Sequence, residues 1–227
     1  MTFFTIVMEL GSSRPTFYFD VHGEINTDKT IELVRGRIEA LGIRKVVVAS
    51  ETGLSALKVL DALPGHEVIV VSSAVGTTVE DSLIGDLAIG IADENILKEL
   101  KSRGARVVRG TDPFWNLDAH TEITGIGKLG MMYFKVLSGG IHVCMTAILE
   151  ATDAGHLSEG EEAIAMAGSF VGLDTAIVAG AANSVNFFKA FEVREIICKP
   201  RRPRYSWPIN QRDWKGDLEK YKRFVKD

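Results

Sequence analysis

Three short apolar runs, each followed or preceded in the sequence by a segment with a helical pattern, constrain the fold of this 227-residue chain most strongly. Lys45–Ala49, Glu67–Val71 and Arg106–Arg109 are rich in valine and isoleucine, as is typical of strands covered on both faces. Helical patterns lie between them, at Gly53–Leu63 and at Asp93–Arg103. Strands that alternate with helices at this spacing favour a parallel sheet with right-handed crossovers.

The segments on either side extend this pattern. Thr16–Asp20 predicts a short strand, and Asn26-Thr27 begins a helix that ends at Gly42. Lys128–Thr152 predicts one long helix or two shorter ones, because Gly139-Gly140 interrupts the apolar period. Helices therefore flank the predicted strands on both sides in the sequence.

The last third of the chain has a different pattern. Ala163–Ala167 and Thr175–Val178 predict two strands joined by a tight turn, which favours a hairpin over a crossover. Glu195–Cys198 predicts the last strand, and a charged arm with a short helix at Asp213–Val225 follows. The predicted fold class is α/β: three layers, α/β/α, with a mostly parallel sheet and a C-terminal antiparallel hairpin.

Composition is that of an ordinary globular protein. The chain is 46% hydrophobic and 25% charged, and 227 residues fit one large α/β domain, so we expect a single domain over residues 1–227. Two cysteines exclude a disulfide framework and a four-cysteine zinc site. No apolar run approaches the ~20 residues that cross a bilayer, so we expect a cytoplasmic protein without membrane contact. The apolar content also suggests a homo-oligomer.

The loop Ser50–Ala56 lies where a buried strand turns into a helix. The first amide hydrogens of that helix, near Gly53, Leu54 and Ser55, have no partner within the helix and favour an anion. Serine and threonine hydroxyls would add donors, and a glycine lets a ligand approach the backbone closely. The loop therefore predicts a phosphate site, although Thr52 can equally be an ordinary helix cap.

Two further loops are predicted to meet this one at the same edge of the sheet. Ser72 and Ser73 follow the next buried strand, and the carboxyl ends of parallel strands converge. Gly168, Ser169 and Phe170 form the turn of the predicted hairpin, where Ser169 or its amide can reach a phosphate. A plain hairpin turn is the alternative interpretation of that segment.

Several segments occur in an order that resembles the C-terminal α/β domain of pyruvate kinase. The small stand-alone proteins of archaea and bacteria that consist of that domain are more similar still. The resemblance spans about residues 16–201 and leaves an arm at 202–227. The segments are Leu41–Ala56, Arg103–Gly110, Ala151–Gly155, Gly160–Ala165, Leu173–Ala176 and Glu195–Arg201.

The resemblance implies a role for the Ser50–Ser55 loop. In pyruvate kinases with a sugar-bisphosphate effector, a loop of this shape holds an effector phosphate, but Glu51 and Leu54 stand where those enzymes often carry lysine and a basic or variable residue. The stand-alone relatives are associated with flavin mononucleotide (FMN), which we therefore expect as the cofactor. The implied binding residues are Ser50, Glu51, Thr52, Gly53, Leu54, Ser55, Ser72, Ser73, Gly168, Ser169 and Phe170.

The resemblance also limits the activity. This sequence contains no counterpart of the catalytic barrel of pyruvate kinase, so we expect no phosphoryl transfer by that mechanism. The sequence also does not identify a catalytic base. The alternative function is a non-catalytic regulatory or scaffolding module that binds a sugar phosphate or another anionic metabolite. In the stand-alone proteins, the stretches corresponding to Ser72–Thr78 and Thr111–Asn116 carry histidines that are missing here.

Other candidate residues carry weaker signals. Phe114 and Trp115 can stack on a flat ring or pack under a loop, and Asn183 and Ser184 can contact a ring edge. The five histidines have no metal-binding spacing. Lys199–Arg204 is a basic cluster near aromatic residues, but the formal net charge of -4 argues against a nucleic-acid partner. We interpret His142, Cys144 and Cys198 as buried core residues.

Overall fold

The computed structural model describes residues 11–114, 125–202 and 214–226. Short runs of apolar residues form the central strands, and amphipathic or apolar segments form the helices. The strands are β1 Phe17–Phe19, β2 Lys45–Ala49, β3 Glu67–Ser73, β4 Thr78–Ser82, β5 Gly85–Ala88, β6 Arg106–Gly110, β7 Glu162–Ala167, β8 Thr175–Gly180 and β9 Glu192–Pro200. The helices are α1 Thr27–Leu41, α2 Leu54–Ala62, α3 Glu94–Ser102, α4 Ile126–Leu137, α5 Gly139–Asp153 and α6 Phe187–Ala190.

Seven strands form one sheet in the order β1-β9-β8-β7-β2-β3-β6. β8 pairs antiparallel with β7 and with β9, whereas β2 pairs parallel with β3 and β7, β3 with β6, and β1 with β9. The sheet is therefore mostly parallel with one antiparallel hairpin, as the sequence predicts. A short hairpin of β4 and β5 forms a separate two-stranded sheet.

Both faces of the central strand β2 are covered. Val46 and Val48 pack into a cluster with α1, α2 and α3, and Val47 packs on the opposite face into a cluster with α5. All three valines are fully buried. Successive side chains of a strand point to opposite faces, so an unbroken valine run requires a layer of helices on each side. This arrangement confirms the predicted three-layer α/β/α fold.

The ends of the helices follow local rules. α1 ends at Gly42, whose φ of 67° suits glycine, and the Asp93 carboxylate caps α3 by accepting hydrogen bonds from two amides of its first turn. The interruption predicted at Gly139-Gly140 is observed one residue earlier. α4 and α5 meet at Ser138, whose hydroxyl accepts a 3.2 Å hydrogen bond from the Gly140 amide.

The C-terminal arm packs against its own chain over residues 214–226. The Lys215 amide donates to the His22 carbonyl, and the Ile25 amide donates to the Lys215 carbonyl. Tyr221 and Phe224 are buried. The predicted helix at Asp213–Val225 is present only as a 3-10 helix at Glu219–Phe224, and Asp213 itself lies outside the described residues.

None of the helices in the described part of the chain combines the length and apolar character that a bilayer crossing requires.

Candidate functional site

A cavity of about 260 Å³ opens where β2 ends, and we call it the β2 cavity. Its walls come from the loop after β2, the turn after β7, the β4–β5 hairpin with the residue that follows it, one residue of α5 and one residue of the arm. Loops at the carboxyl ends of parallel strands commonly form ligand sites in such sheets. The lining residues are Ala49, Ser50, Glu51, Thr52, Ser55, Val79, Leu87, Ile89, Val143, Gly168, Ser169, Phe170, Val171, Gly172 and Tyr221.

The start of α2 offers hydrogen-bond donors beside this cavity. Among the described residues, none accepts a hydrogen bond from the amides of Gly53, Leu54 or Ser55, and α2 has no side-chain cap. Likewise, no described residue bonds to the hydroxyls of Thr52 and Ser55, so the alternative that Thr52 caps the helix does not hold. The Ser50 hydroxyl is engaged, because it accepts a 3.4 Å hydrogen bond from the Ala56 amide. Unpaired amides at a helix start favour an anion.

Glu51 turns away from these donors and binds the end of β3. Its Oε2 accepts hydrogen bonds from the Ser72 hydroxyl (2.9 Å) and the Ser73 amide (3.1 Å), and its Oε1 accepts one from the Ser73 hydroxyl (2.8 Å). The Gly90 amide adds a longer bond of 3.4 Å. Ser72 and Ser73 therefore hold Glu51 in place, and they do not line the β2 cavity.

Gly53 and Leu54 also lie outside the lining of the β2 cavity. Gly53 has a φ of 84°, and a Cβ at this position would overlap the Ile96 side chain of α3. Leu54 packs against the core cluster that includes α2 and α3. The glycine therefore permits close packing of α2 against α3, and this role differs from the close approach of a ligand that the sequence suggested.

The Gly168–Gly172 turn closes the other side of the cavity. Phe170 lines the cavity, whereas the Ser169 hydroxyl and amide both donate to Asp174 Oδ2, at 2.7 and 3.3 Å. The same hydroxyl lies 2.8 Å from Nδ1 of His22. Both Ser169 donors that the sequence offered to a phosphate are thus engaged within the protein.

Asp174 is the buried centre of this turn. Its side chain also accepts hydrogen bonds from the Gly23 amide (3.0 Å) and the Thr175 hydroxyl (2.9 Å). Burial raises the pKa of the Asp174 carboxyl, and the hydrogen bonds from its neighbours oppose that shift. The network joins the turn to the segment before α1 and so fixes the wall that contains Phe170.

Sequence reasoning missed the apolar walls of the β2 cavity. Val79, Leu87 and Ile89 come from the β4–β5 hairpin and the residue just after it, whose mixture of polar and apolar residues gives a weak strand pattern. Tyr221 comes from the arm, and its pKa is raised by burial and by the nearby Glu24 and Asp217. The apolar positions of the predicted arm helix were the only signal that Tyr221 is buried.

The weaker candidates lie elsewhere. Phe114 is buried and packs against Phe134 and Phe187, with ring centroids 5.5 and 5.1 Å away, whereas Trp115 lies outside the described residues. Asn183 and the Ser184 amide both bind the Asp153 carboxylate. Within the described residues, no group of three or more histidine, cysteine or acidic side chains is placed to hold a metal ion.

The three residues interpreted as core residues are buried. Burial raises the pKa of the Cys144 thiol and raises that of Cys198 to about 12. Burial, together with Lys135, lowers the pKa of His142 to about 4. The His142 Nε2 lies 3.3 Å from Asp112 Oδ2 but without hydrogen-bond geometry.

A comparison with known protein families identifies the family of this chain. The family model described as pyruvate kinase, alpha/beta domain, matches residues 28–179. The matched range runs from the first turn of α1 almost to the end of β8, so it includes the loop after β2 and the Gly168–Gly172 turn.

Proposed function

Because the chain belongs to the pyruvate kinase alpha/beta domain family, we propose that it binds a phosphorylated small molecule in the β2 cavity and that this ligand is FMN. The observation that carries the proposal is that, at the start of α2, no described residue bonds to the amides of Gly53, Leu54 and Ser55 or to the hydroxyls of Thr52 and Ser55. A phosphate there accepts hydrogen bonds from backbone and side-chain donors and lies at the positive end of the helix dipole.

The side chains around the cavity divide into a polar and an apolar part. Thr52 and Ser55 provide donors at one end, and Phe170, Val171 and Tyr221 provide apolar contact surface. A phosphorylated ligand with a flat ring is complementary to that division, because the ring packs on apolar and aromatic side chains. Glu51 is the only charged residue among the described lining residues, and its carboxylate already accepts four hydrogen bonds.

The small volume of the β2 cavity also suits a second class of ligand. Its volume of about 260 Å³ is just below the ~300–1,000 Å³ of common ligand pockets. A sugar phosphate fits within such a volume, whereas the isoalloxazine ring of FMN must extend through the open side. The second candidate function is therefore a non-catalytic regulatory module that binds a sugar phosphate or another anionic metabolite.

The visible absorption of the protein distinguishes the two candidate functions. Protein purified without added ligand, or incubated with FMN and then desalted, is expected to absorb in the visible blue as flavoproteins do. Protein that stays colourless after both treatments contradicts the flavin proposal. Titration of that colourless protein with a sugar bisphosphate and with inorganic phosphate then tests the second candidate. Light scattering of each sample measures whether the protein forms the proposed homo-oligomer.

A double variant tests where the phosphate lies. Replacing Thr52 and Ser55 by alanine is expected to weaken FMN at least tenfold and to change riboflavin, which lacks the phosphate, much less. The matched control replaces Thr77 and Ser102, which are exposed and do not line the cavity. Equal losses for FMN and riboflavin would contradict the phosphate position.

A further inference from the structure

A second cavity, of about 550 Å³, lies beside β6 and shares no lining residue with the β2 cavity. We call it the β6 cavity. Val108 and Gly110 of β6 form part of its wall, and the other lining residues come from the segment 111–114 just after β6, from α5 and the residue that follows it, and from the segment 184–188. Its volume falls within the ~300–1,000 Å³ range of ligand pockets. The expected FMN site does not involve this space.

Phenylalanine side chains form the apolar side of the β6 cavity. Phe114 and Phe187 are in edge-to-face contact, with ring centroids 5.1 Å apart, and Phe188 stacks edge-on against Phe187 at 5.0 Å. Phe188 is 89% exposed, and Val185 beside it is 87% exposed. Two large apolar side chains thus remain uncovered at the mouth of a cavity whose interior is aromatic.

Carboxyl groups form the polar side of this cavity. Glu150 and Asp153 line it, and the described lining residues include no lysine or arginine. Asp153 Oδ1 accepts hydrogen bonds from the Ser184 amide (2.9 Å) and the Asn183 side chain (3.3 Å). Glu150 Oε2, by contrast, is buried and has no hydrogen-bond partner among the described residues. It lies over Gly110, where a Cβ would collide with it.

Three other carboxyl groups act on Glu150. Burial is the main cause that raises the pKa of Glu150 to about 8, and Asp112 after β6, Glu51 after β2 and Asp153 on the same helix add to it electrostatically. Lys135 opposes the effect of burial on Asp112, and His142 lies against that same carboxyl. Repulsion among these carboxyl groups is relieved either by a proton on Glu150 or by a cation beside it.

We propose that the β6 cavity binds a small organic cation, an ammonium group attached to an apolar body. The ammonium group pairs with Glu150 and Asp153, and it lies within reach of aromatic faces that attract cations. The apolar body covers Val185 and Phe188 at the mouth. On binding, the ammonium takes over the role of the Glu150 proton, which leaves to the solvent.

The probe for this proposal is 2-phenylethylammonium, and the matched neutral compound is 2-phenylethanol, which differs mainly in lacking the charge. Calorimetric titration near pH 7 is carried out in cacodylate and in MOPS, which differ in heat of protonation; the cacodylate buffer contains no amine that could compete with the probe. We expect the ammonium to bind at least tenfold more tightly than the alcohol. We also expect it to release a proton, up to about one per ligand, because a carboxyl with a pKa of about 8 is mostly protonated at pH 7.

Variants assign the effect to the cavity. E150Q is expected to remove the proton release and to reduce ammonium affinity at least fivefold, whereas E39Q, the same substitution on the exposed face of α1, leaves both unchanged. Phe188→Leu, at an exposed position, is expected to weaken the ammonium several-fold without affecting folding.

Three results would overturn the proposal. They are equal affinity for the ammonium and the alcohol, binding of the ammonium without proton release, and no binding of either compound at millimolar concentration. The wild-type comparison of the two compounds needs no variant, so it stays decisive even if E150Q fails to fold.

Discussion

The hydroxyl of Ser73 donates a 2.8 Å hydrogen bond to Glu51 Oε1, and this contact joins the ends of two neighbouring parallel strands. It holds Glu51, the one charged residue among the described lining residues of the β2 cavity, against β3. Glu51 therefore has two effects that oppose each other in function: it orders the loop that offers the phosphate donors, and its negative charge disfavours the phosphate.

Replacing Glu51 by glutamine separates these effects. The amide keeps the shape but not the charge, so the free energy of unfolding is expected to fall by about 1 kcal/mol because charge-assisted bonds are weakened. Affinity for inorganic phosphate is expected to rise roughly three- to tenfold, since a nearby negative charge is lost. Urea denaturation and calorimetry measure the two quantities. E39Q controls for net charge, and unchanged phosphate affinity in E51Q would place the anion away from this loop.

The contact between Gly53 and Ile96 predicts that adding a single methyl group at Gly53 lowers the free energy of unfolding strongly. Gly53→Ala combines strain at a φ of 84° with overlap against Ile96, and we expect a loss of about 2–4 kcal/mol. Gly42→Ala is the matched control, because Gly42 has a φ of 67° but open space around it, so only about 1 kcal/mol is expected there. Thermal or urea unfolding gives both values. Equal losses at the two glycines would show that α2 does not pack tightly on α3.

The same substitution at Asp174 and at Asp93 is expected to change stability by different amounts. Asp174→Asn removes a buried charged acceptor of four hydrogen bonds, and a loss of about 2–4 kcal/mol is expected. Asp93→Asn makes the same change at the start of α3, where asparagine caps a helix as well as aspartate does, so about 0.5 kcal/mol or less is expected. Denaturant unfolding of both variants checks this. Similar small losses would mean that the Asp174 network contributes little to stability.

His142 and Glu150 contribute to the pH dependence of stability with opposite signs. The folded protein lowers the pKa of His142 from 6.5 to about 4, so the unfolded chain binds the extra proton between these values and stability rises with pH. Folding raises the pKa of Glu150 from 4.5 to about 8. Between these pH values the folded chain binds the extra proton, so stability falls as pH rises. The two slopes oppose each other between about pH 4.5 and 6.5, and only that of Glu150 remains above about pH 6.5.

E150Q is therefore expected to change the shape of the pH profile. Relative to wild type it gains stability as pH rises towards about 8, by roughly 2–4 kcal/mol in total, a value kept below the full pKa difference because Glu150 is only partly buried. Urea denaturation at several pH values between about 5 and 8.5 measures the difference between the two proteins. A constant difference over that range would contradict the raised pKa of Glu150.

Much of the β2 cavity could be predicted from sequence because its polar residues follow strands. Ser50, Thr52 and Ser55 end one strand and begin a helix, and the structure places all three in the cavity lining. Phe170 is likewise found where the hairpin turn predicts it. The strand-to-helix junction is a local feature, so its position at the carboxyl edge follows from the order of elements alone.

Other contacts of the site could not be predicted in this way. Ser72 and Ser73 lie at the expected edge, but the carboxylate of Glu51 reaches them and keeps them from the cavity. Ser169 is in the expected turn, but Asp174 engages both of its donors. Which partner a hydrogen-bonding side chain takes depends on distances between segments that are far apart in the chain, and the hydrophobic period does not record them.

The sequence by itself determined the layers of this protein, since the valine runs of β2 and β3 need apolar cover on both faces and the segments between them have the period of helices. Only the tertiary structure decided that Tyr221 of the arm and Leu87 of the β4–β5 hairpin close the β2 cavity, and that Glu150 lies among other carboxyl groups. The pattern of burial is repeated within each element and can be recognised there, whereas electrostatic and cavity-forming contacts arise only when distant elements pack together.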